Sequence, residues 1–481
     1  MPPELLYRRF LPLMPNVGRL LSRSRYGVLK STDPPITVPA WLVMFSGVDP
    51  GSLGLYGFRH RRIGSYTETY LPTPDVARYP AVWDLLSARR DRVCVIGVPP
   101  GYPPPHVNGV YVSDLLTPPG APDFVWPPEI AAELLGVGGG YDFDVPFRGE
   151  NRSQVADEIR DMTRRRFAVA RHLWAKEAWR LFILHEIGPD RIHHTFWKFF
   201  DPSHPRHEHA PGFVEAVESY YSLLDAEIGA LLDLVPHDVA VWIVSDHGSQ
   251  AMTGGFCVNE WLMRSGYLKL KKRPTEARTP IEKAAIDWRN TSAWAWGGYY
   301  ARIFFNIRGR EPEGVVDERA IPDLIHRLTR DLEQVRLPDG SLLSVKVSRP
   351  SDLFQQVRGD APDLIVYFGD LKWRSLGSVG HGGVFSDGND VGPDDSVHSF
   401  DGVLVFADPH RKASGPLPDQ SILDVAPTLL SRLEVPLPAH LQGQPIGEIS
   451  NGASLAFPTG SRINERIAGN RRLAPDRRAT A

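Results

Sequence analysis

The sequence predicts an α/β fold of the doubly wound kind, a mostly parallel central sheet flanked by helices. Three observations predict it. Short apolar runs end in polar residues or glycine at Val93 to Val98, Leu181 to Leu184, Val239 to Val244, Leu364 to Phe368 and Val403 to Phe406, as strands buried on both faces do. Longer stretches with helical spacing lie between them. The chain has 481 residues, enough for one large α/β domain or two to three ordinary ones, with a core that needs no disulfide or metal staple.

Composition narrows the function classes. Hydrophobic residues are 42% and charged residues 23% of the chain, and the net charge is −3. This is ordinary globular composition, with no global attraction to nucleic acid or anionic membranes. No run approaches the roughly 20 apolar residues of a bilayer span. The two cysteines, Cys94 and Cys257, lie far apart and form no metal-knuckle spacing. They read as plain thiols in a reducing compartment, so a cytoplasmic location is expected.

Taken in order, Met1 to Arg25 carries five arginines and scattered leucines. It lacks the apolar centre of a signal peptide and reads as a surface helix of the fold. Next, Pro34-Pro35-Ile36-Thr37-Val38-Pro39-Ala40-Trp41 runs into a helical pattern that stops at Gly47. Pro39 suits a first helical turn. This puts the Thr37 hydroxyl at a helix N-terminus, where free amides and the dipole stabilise a phosphate. Thr37 is the candidate nucleophile; a plain N-cap is the alternative reading.

Ser153 to Lys176 carries Val155, Ile159, Met162, Phe167, Ala170 and Leu173 at spacings of three to five, and Phe213 to Leu234 reads similarly. Between them, after the strand Leu181 to Leu184, stands Asp190-Arg191-Ile192-His193-His194. A four-residue spacing puts Asp190 and His194 on one helix face, as shared metal ligands require. His193 points elsewhere and is a candidate substrate-binding residue. His185 and Glu186 have packing roles by default.

Ser245-Asp246-His247-Gly248 follows the strand Val239 to Val244 and offers a carboxylate and an imidazole at its carboxyl edge, where open α/β sheets bind ligands. Both suit zinc or manganese. The stretch from about 259 to 347 mixes charged loops with Trp294, Trp296, Gly297, Gly298, Tyr299 and Tyr300 and a short strand, Arg302 to Ile307. It reads as a cap insertion whose aromatics pack or line a substrate pocket. His398, in His398-Ser399-Phe400-Asp401-Gly402, competes with His381, in Gly380-His381-Gly382-Gly383, for one further ligand position. His398 is favoured as the ligand, and His381 is kept as a candidate substrate-binding residue. The domain expectation is a catalytic unit over 1–448 and a poorly ordered Arg-rich tail over 449–481.

In combination and order, PPITVPAWLVMFSGVDPGSLGLYGF, DRIHHTFWKFFDPSHP, VSDHGSQAMTGGFCVNEWLMRSGYL, APDLIVYFGDL and HSFDGVLVFADP resemble the alkaline-phosphatase superfamily. The likeness is strongest to its type I phosphodiesterase/nucleotide-pyrophosphatase branch and the related phosphohydrolases and phosphomutases of prokaryotes. The resemblance implies a metal-dependent phosphodiesterase or phosphomonoesterase acting on a small-molecule phosphoester. It implies Asp190, His194 and His398 on one divalent metal ion and Asp246 and His247 on a second, zinc or manganese. Thr37 would attack phosphorus and pass through a phosphothreonine.

The sequence also departs from that pattern. The resemblance implies an opening central strand ending in Gly-Leu-Asp, whose aspartate binds the second metal. Before Thr37 the only acids are Glu4 and Asp33, and neither follows an apolar run. Either the start lies upstream of Met1, which is the expectation, or the protein lacks a strand and a ligand. Phosphomutase chemistry and a degenerate, non-catalytic phosphate-ester-binding protein are the alternatives. Sulfatase chemistry is not expected, since neither cysteine has a Cys-x-Pro-x-Arg context.

Overall fold

The computed structural model describes residues 1–76, 78–410 and 414–450. In chain order the main strands are β1 (Arg25–Lys30), β2 (Val93–Ile96), β3 (Gly109–Val112), β4 (Leu181–Leu184), β5 (Val241–Val244), β6 (Gly248–Ala251), β7 (Gly254–Cys257), β8 (Ala293–Trp296), β9 (Ala301–Phe305), β10 (Val345–Ser348), β11 (Leu364–Phe368), β12 (Trp373–Leu376), β13 (Ser396–Ser399) and β14 (Asp401–Ala407). The main helices are α1 (Thr37–Ser46), α2 (Arg152–Lys176), α3 (Gly188–Phe200), α4 (Pro211–Leu232) and α5 (Ile321–Glu333). The apolar runs become strands at or within a few residues of the expected bounds. Gly97, at φ +74°, ends β2 before Val98.

Two sheets and the separate β6–β13 pair carry the site. In the first, β2 pairs in parallel with β3 on one edge and β4 on the other. In the second, β14 runs antiparallel to both β1 and β5. Parallel pairing is therefore confined, in this half, to β2, β3, β4 and the short partners of β1. An apolar run records burial on both faces but not strand direction, so the antiparallel course of β14 left no trace in its residues. A third, mixed sheet joins β8, β9, β11, β12 and β7, with β10 on β11. It has its own core around Trp294, Phe304, Phe256 and α5. The buried pair Arg61 and Glu311 clamps the 60–70 hairpin region to this unit through two bonds of 2.9 Å.

The first two sheets share their covering layers. Side chains of α1 pack with Leu181 and Ile183 of β4 and with Trp242 and Val244 of β5. The layer of α2, α3 and α4 packs with Leu184 of β4 and Ile243 of β5. Successive strand residues thus alternate between the same two layers in both sheets. Yet β4 bonds only β2, and β5 only β14, among the described strands. Their remaining edges border one cleft of about 990 Å³, and all eight of their residues are only half-buried.

No helix among the described residues is long and apolar enough to cross a membrane. From residue 451 on, the Arg-rich tail lies outside the described residues, while Ile449 is fully buried in the core beneath α1.

Candidate metal centre

The site forms where the carboxyl ends of β4 and β5 converge. Pro189 in the first turn starts α3, and the next residue, Asp190, lies one turn before His194. His398 comes from β13, paired in register with Ser249 of β6. Ligand atoms of Asp190, His194 and His398 all lie within 4.8 Å of one another. Asp190 Oδ1 is 3.5 Å from His194 Nε2 and 3.7 Å from His398 Nε2.

The outward ring edges are fixed by hydrogen bonds. His194 Nδ1 donates to Asp394 Oδ1 at 2.7 Å, because a carboxylate only accepts. His398 Nδ1 donates to the Pro35 carbonyl at 2.8 Å. Each bond turns the opposite nitrogen, Nε2, toward Asp190, the ring orientation a metal-ligating histidine needs. Asp190 Oδ1 and His398 Nε2 are buried without a hydrogen-bond partner. An oxygen and two imidazole nitrogens at this spacing fit a divalent cation such as zinc.

Electrostatics agree with that fit. Burial opposes ionisation of Asp190, but His194, Arg191 and His398 outweigh it and hold the carboxyl well below its usual range. Burial likewise opposes a charged His194, while Tyr299, Asp394 and Asp190 raise it to about 10. Burial and the neighbouring His247 keep His398 neutral. His194 therefore carries a second proton, which a cation bound there would displace.

Beside this cluster, His247 stacks on His398 with ring centroids 3.7 Å apart. His247 Nδ1 bonds the Gly248 carbonyl, and its Nε2 lies 3.1 Å from both Asp246 Oδ2 and Thr37 Oγ1. Thr37 is the first residue of α1; the residue before it, Ile36, occupies the cap position without a side-chain cap bond. The threonine hydroxyl is thus turned to His247 rather than spent on capping. Asp246 Oδ2 is a further buried oxygen that, beside His247, has no hydrogen bond of good geometry, and burial raises its carboxyl. Among the described residues no third acid joins this pair. Asp33 is held by Tyr367 and Lys346, and Glu4 by Arg8 on the surface.

Two candidate residues fall elsewhere. His193 does not face the cluster: one residue from His194, it turns into the protein, with Ser249 Oγ at 3.0 Å and Tyr221 Oη at 2.7 Å. Both of its ring nitrogens have partners within the protein. His381 bonds Ser378 and faces Asp390, partners that no residue of the cluster shares. His185 bonds the Gly97 carbonyl and packs on Trp41, and Glu186 accepts from Thr163 and Gly188, as packing residues do.

The structure adds Asp394, which the sequence did not single out, and Tyr299, which the sequence offered only as one aromatic of the cap insertion. Asp394 is gripped by Arg148 at 2.8 Å, Arg374 at 3.1 Å and Asn389 at 3.2 Å. Tyr299 stacks on His398 at 3.7 Å, with its hydroxyl 3.1 Å from His194 Nε2. The Gly-Gly-Tyr-Tyr run that marked it also contains Tyr300, which lies outside the cluster and bonds the Tyr56 carbonyl. The Gly-Pro-Asp-Asp run holding Asp394 gave no signal of its own.

The sequence matches the family described as type I phosphodiesterase / nucleotide pyrophosphatase over residues 1–394. Among solved structures, the chain is similar to phosphonoacetate hydrolase from Sinorhizobium meliloti 1021 in complex with phosphonoformate (TM-score 0.53, 14% identity, 86% of this chain and 89% of that chain). It is equally similar to phosphonoacetate hydrolase from that organism in complex with phosphonoacetate (TM-score 0.53, 15% identity, 86% of this chain and 89% of that chain). At this identity the likeness is one of fold, the alkaline-phosphatase-like α/β fold. A search of curated proteins gave no match.

Proposed function

The chain belongs to the type I phosphodiesterase / nucleotide pyrophosphatase family, a family of phosphoester hydrolases, and from that premise we propose that it is a divalent-metal-dependent phosphoester hydrolase with Thr37 as nucleophile. One observation carries this reading. The Thr37 hydroxyl lies 3.1 Å from His247 Nε2, beside buried Asp190, His398 and Asp246 atoms that have no hydrogen bond of good geometry. Cations held by Asp190, His194 and His398 and by Asp246 and His247, zinc or manganese, would supply Lewis-acid stabilisation and acidify the hydroxyl.

Thr37 Oγ1 forms the new bond to phosphorus as the ester oxygen leaves. The threonine proton is lost, and the leaving alkoxide takes up a proton as the alcohol. Water then cleaves the phosphothreonine and regenerates the hydroxyl. The first turn of α1, whose amides lack intrahelical acceptors, binds the phosphoryl oxygens. The substrate is a small phosphoester. Two free, buried thiols support a reducing, cytoplasmic setting.

A second reading, a non-catalytic phosphate-ester binder, is favoured by the second set having only Asp246 and His247. Assays on p-nitrophenyl phosphate and bis-p-nitrophenyl phosphate with zinc or manganese separate the two. Metal-dependent turnover with a trapped phosphate on Thr37 supports the hydrolase. Ester binding without turnover supports the binder and overturns the hydrolase.

A further inference from the structure

We propose that Tyr299 is a fourth protein ligand of the cation centre, its hydroxyl oxygen bonding the same ion as Asp190, His194 and His398. The inference rests on the reading that those three residues hold a divalent cation. Spacing carries it. Donor atoms about 2.0–2.1 Å from a tetrahedral ion stand about 3.3 Å from one another. Asp190 Oδ1 is 3.5 Å from His194 Nε2 and 3.7 Å from His398 Nε2, and Tyr299 Oη is 3.1 Å from His194 Nε2. The phenol oxygen thus keeps the distance from His194 that two ligands of one ion keep.

The hydroxyl makes no competing bond. A buried tyrosine ordinarily gives its proton to a protein acceptor. The hydrogen-bond neighbours of Tyr299 Oη are His194 Nε2 at 3.1 Å and Arg148 Nη2 at 3.4 Å, and an arginine only donates. Among the described residues no carboxylate or carbonyl oxygen bonds this hydroxyl, although Tyr299 is only 9% exposed. On coordination the O–H bond breaks, the oxygen bonds the ion and the proton leaves to solvent. One carboxylate, two imidazoles and one phenolate make four protein ligands, the number that closes a zinc site. Open coordination then belongs to the ion at Asp246 and His247, beside Thr37.

The ring is also held in place. It stacks on His398 with centroids 3.7 Å apart, and the Arg374 guanidinium lies over it, 4.4 Å from its centroid. Arg148 and Arg374 both bond Asp394, whose other oxygen fixes the His194 ring. One carboxylate thus positions two of the four donor atoms. The backbone agrees. Gly298 exchanges bonds of 2.8 and 3.0 Å with Ser375 of β12, which sets Tyr299 beside Arg374. A Cβ on Gly297 would lie 2.4 Å from the Gly377 amide nitrogen, so this close approach requires glycine.

The test loads the full chain with one equivalent of Cu(II), the divalent first-row ion that such sites bind most tightly. The readout is the visible phenolate-to-copper charge-transfer band, with the tyrosine ring vibrations that excitation within it enhances. Zinc affinity is measured beside it by competition with a chelator. The expected result is a band in the wild-type chain that is lost in Tyr299→Phe, which keeps the ring, while copper stays bound. Zinc affinity in that variant falls about tenfold or more. Copper bound by the wild-type chain without the band overturns the proposal, as does an equal band in Tyr299→Phe. Unchanged zinc affinity in Tyr299→Phe with a raised KM for p-nitrophenyl phosphate overturns it in favour of a tyrosine that touches substrate. Copper and zinc binding no tighter in the wild-type chain than in Asp190→Asn overturns the cation centre itself, and the fourth ligand with it. Should Tyr299→Phe fail to fold, the wild-type spectrum decides: a band that Asp190→Asn abolishes supports the ligand, and no band overturns it.

Discussion

Asp394 Oδ1 lies 2.7 Å from His194 Nδ1, on the ring edge opposite the one that faces Asp190. Arg148, Arg374 and Asn389 hold the same carboxylate from the far side, so the ring orientation is imposed by a cluster that is buried apart from the half-buried Arg148. Replacing Asp394 by Asn lets the amide present a donor to Nδ1 and frees the ring to flip. Zinc affinity is expected to fall about 10–100-fold, measured by competition with a fluorescent chelator. An unchanged affinity would show that the ring is held by something else.

Thr37→Ala removes the hydroxyl but none of the candidate ligands. The expected outcome is a kcat on p-nitrophenyl phosphate reduced by about 10³ or more with zinc stoichiometry unchanged. Thr37→Ser keeps a hydroxyl and should retain part of the rate. Full activity in Thr37→Ala would remove Thr37 from the chemistry.

Two buried histidines away from the ligand set make stability pH-dependent. Burial, then Arg302, lowers His60 from 6.5 to about 3, and burial, then Arg166, lowers His185 to about 3. Each stays neutral in the folded chain while the unfolded chain takes up a proton below about pH 6.5. Their stabilising effect is whole above 6.5 and is lost progressively as pH falls toward 3. The slope is about 1.4 kcal/mol per pH unit for each group. Tm should therefore drop between pH 7 and 5, less steeply in His60→Gln. An identical slope in that variant would assign the effect elsewhere.

Arg61 and Glu311 are 1% and 0% exposed and make two bonds of 2.9 Å. Glu311→Ala leaves a buried guanidinium without its carboxylate partner and should cost about 3–5 kcal/mol, read as a lower denaturation midpoint. A loss below about 1 kcal/mol would mean that the Arg61 bonds to the Arg62 and Ser65 carbonyls suffice.

Much of this architecture was legible in the residues. β4, β5 and β14 were visible as apolar runs, α2 and α4 as periodic stretches, and the start of α1 as Thr37 two residues before Pro39. The four-residue step from Asp190 to His194 was enough to pair them. His398 gained meaning only beside the other two, since nothing local marks a histidine on a strand as a ligand. What escaped was contact across long separations. Asp394 is 200 residues from His194, in a loop without periodicity. Adjacent helical residues differ by about 100° in direction, so His193 points away from His194, as the spacing implied, and its ring meets Tyr221, a partner the spacing could not name.

Each of the chain's two cysteines lies in a different sheet: Cys94 in β2 and Cys257 in β7, both fully buried. Burial pushes the Cys94 thiol well up and the Cys257 thiol to about 12, so neither reacts while its strand is closed. An alkylating reagent therefore reads two separate clocks in one sample. Modification of Cys94 times the opening of the sheet that helps carry the candidate metal centre, and modification of Cys257 times the opening of the aromatic-rich unit beside it. Peptide mapping by mass then tells whether the halves come apart together or in sequence, with no engineered probe.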